Sequence, residues 1–469
     1  MSDNLTRLSA TDLIEVYRSR KVSPVDVCEA VLGRIAETQD SLNAFVTVDG
    51  EGALAAARSS EARWRAGEPR GLIDGVPTSI KDLLLAKGMP TLRGSLSVDR
   101  EQSWNEDSPA AARLREHGAV ILGKTTTPEF GHKAVTDSPL SGITRNPWDP
   151  DKTPGGSSGG AAAAVAAGMG PLAVGTDGGG SIRIPSSFSG IFGIKATFGR
   201  VPSYPGTPNS SVSHVGPMTR TVADAALMLT VLSEPDWRDW YALPHDGTDY
   251  RANLEEPLSG VRVAYSPTLG MGDVAIDAEV RASTYEAAKT FEDLGATVEE
   301  ANPFWPHEPG EVFGVHWAMG AAALVASMPA EKQVLLEESL LRSAEAGRGL
   351  DGLTVKRAEM ARVADGLALA EFFEHHDLIL SPTLPVPAFK AGQQIPSEAY
   401  AENPLSWLPY TFPINLTRNP AASVPCGFTA TGLPIGLQVI GPLFGETMVL
   451  RACRTYEEAN PCHQSWPKL

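Results

Sequence analysis

The sequence is short of positive charge: 39 lysine and arginine residues stand against 56 aspartate and glutamate residues, a formal net charge of −17. Nucleic acids and anionic membrane surfaces are polyanions, so this balance argues against either as a binding partner. The chain also has no apolar run that approaches the roughly 18 residues of a membrane-spanning helix. We therefore expect a protein that binds neither nucleic acid nor membrane.

Cysteine is scarce as well. The four cysteines, Cys28, Cys426, Cys453 and Cys462, have neither the spacing of a disulfide framework nor that of a zinc site. Residues 1–4 carry no basic segment and lead into no apolar core, so no secretory signal is expected. These absences together predict a reduced, cytoplasmic protein that binds no metal.

What is present is the composition of an ordinary globular chain, with 42% hydrophobic and 20% charged residues among 469. Residues 109–122 and 261–298 each contain a helix pattern followed by a glycine and an apolar strand pattern. This order is typical of a mostly parallel sheet that helices cover on both faces. The sequence therefore predicts an α/β fold with one large mixed, mostly parallel β-sheet between layers of α-helices. Residues 1–65 are expected to form a helical segment packed on this core.

The most informative stretch is 153–183, which reads TPGGSSGGAAAAVAAGMGPLAVGTDGGGSIR. It places two serines, Ser157 and Ser181, in glycine-rich loops separated by an alanine-rich helix pattern and an apolar strand pattern. Glycine has no Cβ and permits positive φ, so such loops can bring backbone N–H groups close to a small ligand. A serine among such donors is a candidate nucleophile, but it needs a base to activate it.

Two common interpretations of these glycine loops fail. Residues 155–159 fit the G-x-S-x-G elbow of α/β-hydrolases, but a turn-rich loop rather than a strand precedes them. No Lys-Ser or Lys-Thr pair follows the glycines, so the loop is not a phosphate-binding P-loop. The remaining candidate base is Lys81, which ends the apolar run of GVPTSIKD, where burial could keep its amine neutral.

The motifs GVPTSIKD, GGSSGG and GTDGGGSIR together resemble those of the amidase signature family of amide hydrolases. Similar stretches at 376–383 and 415–442 extend the resemblance over nearly the whole chain, and the serines are 24 residues apart, as in that family. The resemblance implies that Lys81 is the base, Ser157 a bridging serine after a cis peptide bond, and Ser181 the nucleophile. It also implies a single amidase domain over 1–469, and the expected mechanism requires no cofactor.

The loop GTDGGGS offers backbone N–H groups that can converge on one oxygen, as acyl transfer requires. The family usually has a larger residue at the position of Gly178, so the glycine predicts a looser loop and a wider pocket. Arg418 stands where glycine is more common, which leaves the local turn in question. Arg183 is expected to pair with Asp177 or a nearby carboxylate rather than to hold the substrate. The predicted oxyanion hole consists of Gly178, Gly179 and Gly180.

The wall of the substrate pocket is expected to come from the variable region 302–410. Residues 302–328 are rich in aromatic side chains, which favours a hydrophobic or aryl amide, ester or carbamate, although such a stripe also fits a buried core. We expect neutral Lys81 to take a proton from Ser181 through Ser157, after which Ser181 attacks the carbonyl and forms an acyl-enzyme.

Two other functions remain open on the sequence. The chain could be the glutaminase subunit of a transfer-RNA-dependent amidotransferase, which would need a carboxylate-binding group that no motif identifies. It could also be a non-catalytic binding scaffold, although all three proposed catalytic residues are present. For an enzyme, the expected partner is a small-molecule amide, ester or carbamate, and a homodimer is compatible with the sequence.

Overall fold

The structure is a computed structural model that describes residues 5–209 and 211–469. Its α-helices include α1 (Ala10–Arg18), α2 (Pro24–Leu42), α3 (Gly50–Ala66), α4 (Pro109–Glu116), α5 (Gly159–Ala166), α6 (Arg183–Ser189), α7 (Val222–Leu232), α8 (Ala278–Asp293), α9 (Pro309–Ala326), α10 (Ala330–Gln333), α11 (Glu338–Arg348), α12 (Gly352–Phe373), α13 (Phe412–Leu416) and α14 (Glu446–Ala459).

The β-strands alternate with these helices along most of the chain. They are β1 (Phe45–Val48), β2 (Pro77–Lys81), β3 (Val120–Thr125), β4 (Asp137–Ser138), β5 (Gly142–Ile143), β6 (Leu172–Asp177), β7 (Phe192–Lys195), β8 (His214–Thr219), β9 (Arg262–Tyr265), β10 (Thr297–Glu300), β11 (Leu378–Pro382), β12 (Ala421–Phe428) and β13 (Pro434–Ile440).

Eleven strands form one large sheet in the order β1-β3-β2-β6-β8-β7-β12-β13-β11-β9-β10, while β4 pairs with β5. The predicted large mixed sheet flanked by helices is confirmed. The expectation that most strand pairs are parallel needs correction, because six of the described pairs in the large sheet are antiparallel. Four are parallel. The prediction followed the helix-containing connections and overlooked hairpins such as β12–β13, which can only pair antiparallel strands.

Parallel pairing of β2 with β6 is the part of the sheet that positions the site. Thr78 lies opposite Leu172 and Ile80 opposite Val174, so both strands run in the same direction. Every residue of β2 and β6 is buried, as expected for strands that helices cover on both faces. The carboxyl ends of the two strands therefore meet at the same sheet edge. Side chains from both strands and from a neighbouring loop can come together there.

The N-terminal helices pack on this core through amphipathic faces. Ser23 caps α2 and forms a reciprocal pair with Asp26, which gives the helix a defined start. In α1, Leu13 and Tyr17 are buried, and the Tyr17 hydroxyl donates to the Gly75 carbonyl oxygen at 3.2 Å. Among the described residues, no helix combines the length and the apolar composition that crossing a bilayer requires.

Candidate active site

Lys81 is the last residue of β2, and its amine is held by three hydroxyl groups. Its Nζ lies 2.7 Å from Ser157 Oγ, 2.8 Å from Ser158 Oγ and 2.8 Å from Thr176 Oγ1. The side chain is fully buried. Ser158 comes just before α5, and Thr176 lies near the end of β6, so the strand pair and the loop before α5 together build this cradle.

The environment of Lys81 favours the neutral amine. Burial lowers the pKa of the Lys81 ammonium well below its usual value, and the negative charge of Asp177 opposes this only in part. No carboxylate among the described residues forms an ion pair with Nζ within 4.0 Å. The hydrogen-bond partners fit this state. The Ser158 hydroxyl already donates to the Thr176 carbonyl oxygen at 3.1 Å, so it can only accept from the lysine.

A neutral amine has two hydrogens and one lone pair. Donation to Ser158 and Thr176 uses the two hydrogens, which leaves the lone pair directed at the Ser157 hydroxyl. Ser157 can then donate its own proton to Lys81 while it accepts another proton from a group in the adjoining cavity. The three contacts therefore leave Lys81 Nζ able to accept a proton from the Ser157 hydroxyl.

Ser157 and Ser181 line the same cavity, and the peptide bond before Ser157 is cis. Within the described part of the chain, no hydrogen bond joins the two hydroxyls; the backbone link nearby runs from Ser158 N–H to the Ser181 carbonyl oxygen at 3.1 Å. Catalytic hydrogen bonds are often long without substrate and tighten in the complex. The contact from Lys81 to Ser157 is formed in this structure, and a contact from Ser157 to Ser181 is not.

Asp177 organises the loop that carries Ser181. Its carboxylate accepts hydrogen bonds from the N–H groups of Gly180 at 2.7 Å and Ile182 at 3.2 Å. It also forms a buried ion pair with Arg183 at 3.0 Å, as the sequence predicted. Burial opposes its ionisation, but the Arg183 guanidinium outweighs this effect and holds the pKa of the Asp177 carboxyl well below its usual range. The loop is thus held by a buried carboxylate whose ionised form is stabilised by Arg183.

Three further residues that support this loop had no recognisable role in the sequence. Asn415 donates to Asp177 Oδ1 at 2.9 Å, and its own Oδ1 accepts from Arg183 at 2.6 Å. Gln438 Oε1 accepts from Arg183 at 2.8 Å, and the Thr411 hydroxyl donates to the Gly179 carbonyl oxygen at 2.7 Å. They lie more than 220 residues from the loop, so only the fold brings them to it.

The predicted oxyanion glycines are not equivalent. The Gly180 N–H donates to Asp177, which leaves it engaged. In the described chain no hydrogen bond occupies the N–H groups of Gly178, Gly179 and Ser181. Gly180 has φ +128°, and a Cβ there would lie 2.5 Å from Thr411 Oγ1, so both conformation and space require glycine. Gly180 shapes the loop, while its neighbours present free donors.

Gly178 does not widen the pocket as predicted. A Cβ at this position would lie 3.2 Å from Trp317 Cζ3, and one at Gly179 would lie 2.7 Å from Phe313 Cζ. The two aromatic rings stack with centroids 5.3 Å apart. The space that a larger residue would occupy is therefore filled by Trp317 from α9. Phe304, from the same aromatic stretch, is instead exposed at the surface.

The turn at Arg418, which the sequence left in question, adopts the conformation that favours glycine. Arg418 has φ +69°. Its guanidinium stacks over the Phe198 ring, 4.5 Å from the centroid, a contact that glycine could not make. Arginine thus occupies a left-handed position, and its side chain is used in packing.

Two cavities meet at Ser181. The first has a volume of about 120 Å³, and its lining includes Ser157, Gly178, Arg93 and Leu324. The second has a volume of about 560 Å³, and its largely apolar lining includes Gly179 and, from the variable region, Trp407 and Leu405. Of the described residues, no group of three or more His, Cys, Asp or Glu side chains is placed to hold a metal ion.

Known proteins resemble this chain over nearly its whole length. A family model described as Amidase matches residues 26–450. The chain is 38% identical over 465 residues to an acylamidase of Rhodococcus erythropolis, covering 98% of this chain and 96% of that protein. It is 36% identical over 493 residues to a glutamyl-tRNA(Gln) amidotransferase subunit of Myxococcus xanthus, covering 97% of each. The crystal structure of a bacterial aryl acylamidase superimposes with a TM-score of 0.88 at 30% identity, covering 97% of both chains.

Proposed function

The chain belongs to the amidase signature family and is a hydrolase of carbon–nitrogen bonds other than peptide bonds, and from this premise we propose that it cleaves hydrophobic or aryl amides. The observation that carries the proposal is the amine of Lys81, held by hydroxyl groups alone, beside a serine at the junction of two cavities, the larger of which is largely apolar. The similarity to an acylamidase and to an aryl acylamidase supports the same substrate class.

The proposed reaction begins with the transfer of a proton from Ser181 to Ser157 and from Ser157 to Lys81. The Ser181 oxygen then attacks the amide carbonyl, and the bond to nitrogen breaks as Ser157 returns the proton to the departing amine. Water hydrolyses the acyl-enzyme by the same relay in reverse. Lys81 must be neutral at the start, since an ordinary lysine with a pKa of about 10.4 is almost wholly protonated at neutral pH.

The reaction also requires stabilisation of the negative charge that develops on the carbonyl oxygen. We assign the oxyanion hole to the free N–H groups of Gly178, Gly179 and Ser181, because the Gly180 N–H is engaged by Asp177. A good donor in such a hole contributes about 3 kcal/mol to the transition state. The donors are held in place before the reaction by Asp177 and Thr411 and so need no rearrangement.

A panel of substrates tests the proposal. Acetanilide, a longer acyl anilide, an aryl ester, an aryl carbamate, a short aliphatic amide and glutamine should be compared by kcat/KM with the purified chain and with Ser181→Ala. The anilides should be the best amides, and Ser181→Ala should lose their hydrolysis. Ester and carbamate cleavage would follow from the same acyl-enzyme chemistry. Preference for the short aliphatic amide over both anilides would contradict the proposal.

The similarity to an amidotransferase component favours a second candidate function, release of ammonia from glutamine for a partner protein. In that case the purified chain would hydrolyse glutamine and leave the anilides intact. A fluorophosphonate probe tests whether Ser181 is the reactive serine of this hydrolase. The wild type should be labelled and Ser181→Ala should not.

A further inference from the structure

We propose that Arg93 forms an anion-binding subsite that recognises a carboxylate on the amine half of the substrate. This inference rests on the proposed amide hydrolysis and specifies its substrate as an amide formed from an amine that carries an acidic group. It depends on where Arg93 lies, on the absence of an ion-pair partner for its side chain among the residues that the structure describes, and on which cavity contains Ser157.

Arg93 lies in the wall of the first cavity, together with Ser157 and Ser181. Its backbone is fixed in the left-handed region, with φ +57°. Its N–H donates to the Asp82 carbonyl oxygen at 3.1 Å, and its carbonyl oxygen accepts from the Phe130 N–H at 2.7 Å. Because β2 ends at Lys81 just before Asp82, Arg93 is anchored to the same strand end as the proposed base.

The guanidinium of Arg93 has no carboxylate within 4.0 Å among the described residues. The acid with which it interacts over a longer range is Asp82, and that carboxylate is already paired with Lys124 at 3.4 Å. Arg183, by contrast, has its full complement of buried partners. Arg93 is half-buried, and a charged guanidinium that has lost part of its hydration gains free energy from a carboxylate partner. Arg93 is therefore placed to gain a partner when a ligand enters the cavity.

The position of Ser157 decides which half of the substrate lies beside Arg93. Ser157 lines the first cavity and gives the departing nitrogen its proton in the proposed mechanism, so the amine half must enter this cavity. The acyl half then occupies the second cavity, whose lining includes Gly179, Phe313 and Trp407. The first cavity, of about 120 Å³, is close in size to an engineered cavity of about 150 Å³ that binds benzene.

A third cavity extends this site. Its volume is about 680 Å³, and it shares Arg93, Phe130 and Leu324 with the first cavity. An amine half that fills the small cavity would reach Arg93 at the boundary with the larger one. N-acylated aminobenzoates and N-acylated amino acids have this form, and a carboxylate can bind a guanidinium through two parallel hydrogen bonds. Glutamine has its carboxylate on the acyl half and does not fit this assignment.

Matched anilides that differ in one group test the proposal. The purified full chain would be assayed with 3- and 4-acetamidobenzoate, with the corresponding neutral acetamidobenzamides, and with acetanilide. The variants are Arg93→Met, Arg93→Lys and the control Arg342→Met, because Arg342 lines the second cavity and pairs with Glu338. The wild type should favour at least one carboxylate over its carboxamide by tenfold or more in kcat/KM.

Arg93→Met should remove this preference, with a loss for the carboxylate about equal to the wild-type preference, at least tenfold, and a loss of less than threefold for the carboxamide. Arg93→Lys should restore part of it, and Arg342→Met should leave it unchanged. All these substrates give the same acetyl-enzyme, so the rate of deacylation after a burst should be equal in wild type and Arg93→Met. A purely structural role would instead lower the turnover of charged and neutral substrates equally, which would overturn the proposal.

Protection of Ser181 gives a readout that does not depend on amide turnover. The product 4-aminobenzoate should slow fluorophosphonate labelling of the wild type and of Arg342→Met but not of Arg93→Met. Glutaranilic acid has its carboxylate on the acyl half. If its hydrolysis depended on Arg93, the assignment of the two cavities would be overturned. Hydrolysis of acetanilide with no carboxylate preference would overturn the subsite and leave the amidase function standing, whereas no hydrolysis of any anilide would defeat both.

Discussion

Three lysines among the described residues are completely buried, and their surroundings distinguish the proposed base from the other two. Lys124 donates to the Leu84 carbonyl oxygen at 2.8 Å and to Thr91 Oγ1 at 2.7 Å, and it pairs with Asp82, which limits the lowering of its pKa by burial to about 8. Lys195 donates to the Asn419 carbonyl oxygen. A carbonyl can accept a proton but has none to give, whereas every partner of Lys81 is a hydroxyl. Lys81 is therefore the buried lysine suited to receive a proton from its neighbours.

The neutral state of Lys81 predicts a pH dependence of stability. The unfolded chain holds a proton on this residue up to about pH 10.5, whereas the folded chain releases it at a much lower pH. Between these values the unfolded state binds more protons, so raising the pH stabilises the fold. The difference in free energy of unfolding, wild type minus Lys81→Met, should increase by about 1.4 kcal/mol per pH unit. Urea unfolding at pH 7.5, 8.5 and 9.5 measures it; a constant difference would indicate a charged Lys81.

The loop between β6 and α6 shows what sequence could and could not predict for a structural element. Gly178, Gly179 and Gly180 are equivalent in the sequence, so it predicted one oxyanion hole from all three. The fold distinguishes them, because Asp177 takes the Gly180 N–H and Thr411 occupies the space beside its Cα. Thr411 is more than 220 residues away, and no local pattern could reveal that contact. The pairing of Arg183 with Asp177 was predictable because both residues flank the same loop.

The difference between these glycines predicts unequal effects of the same substitution. Gly180→Ala forces a side chain into a left-handed conformation and against Thr411 Oγ1, which should lower the free energy of unfolding by about 1–3 kcal/mol. It should also reduce kcat through the displaced loop. Gly178→Ala meets Trp317 Cζ3 at 3.2 Å, so a shift of a few tenths of an ångström accommodates it. Urea unfolding and anilide kinetics would compare the two, and equal effects would argue against this account of the loop.

On the scale of the whole molecule, the candidate site lies on one sheet, and contacts between residues distant in sequence attach the rest of the chain to that sheet. The parallel strands on either side of Lys81 were predictable from helices that connect them. The central antiparallel pairing of β6 with β8 was not predictable, because α6, β7 and irregular loops separate the two strands along the chain. The N-terminal helices were recognisable from their capping residues, but not the surface to which they bind. For α1 that surface is α7, where the buried Asp224 accepts from the Ala10 N–H at 2.9 Å and the Thr11 N–H at 3.0 Å.

This contact predicts that one side chain controls the docking of α1. Asp224→Ala leaves two N–H groups of the first turn of α1 without their acceptor, at a cost of about 1–3 kcal/mol. Hydrogen–deuterium exchange should accelerate across Ala10–Arg18, while anilide hydrolysis should change less than twofold because the site lies elsewhere on the sheet. Asp224→Asn keeps an acceptor and should show a smaller effect. Unchanged exchange in Asp224→Ala would show that apolar packing alone holds the helix.

The measurement that tests the catalytic account most directly is mass spectrometry of the acyl-enzyme formed from an aryl ester or acyl anilide and quenched in acid. The account predicts one acyl group per chain, located on Ser181, in the wild type. Ser181→Ala should carry none, and Ser157→Ala should carry the group on Ser181 but acquire it at least 100-fold more slowly, since it lacks the relay to Lys81. An acyl group on Ser157, or its persistence in Ser181→Ala, would contradict the account.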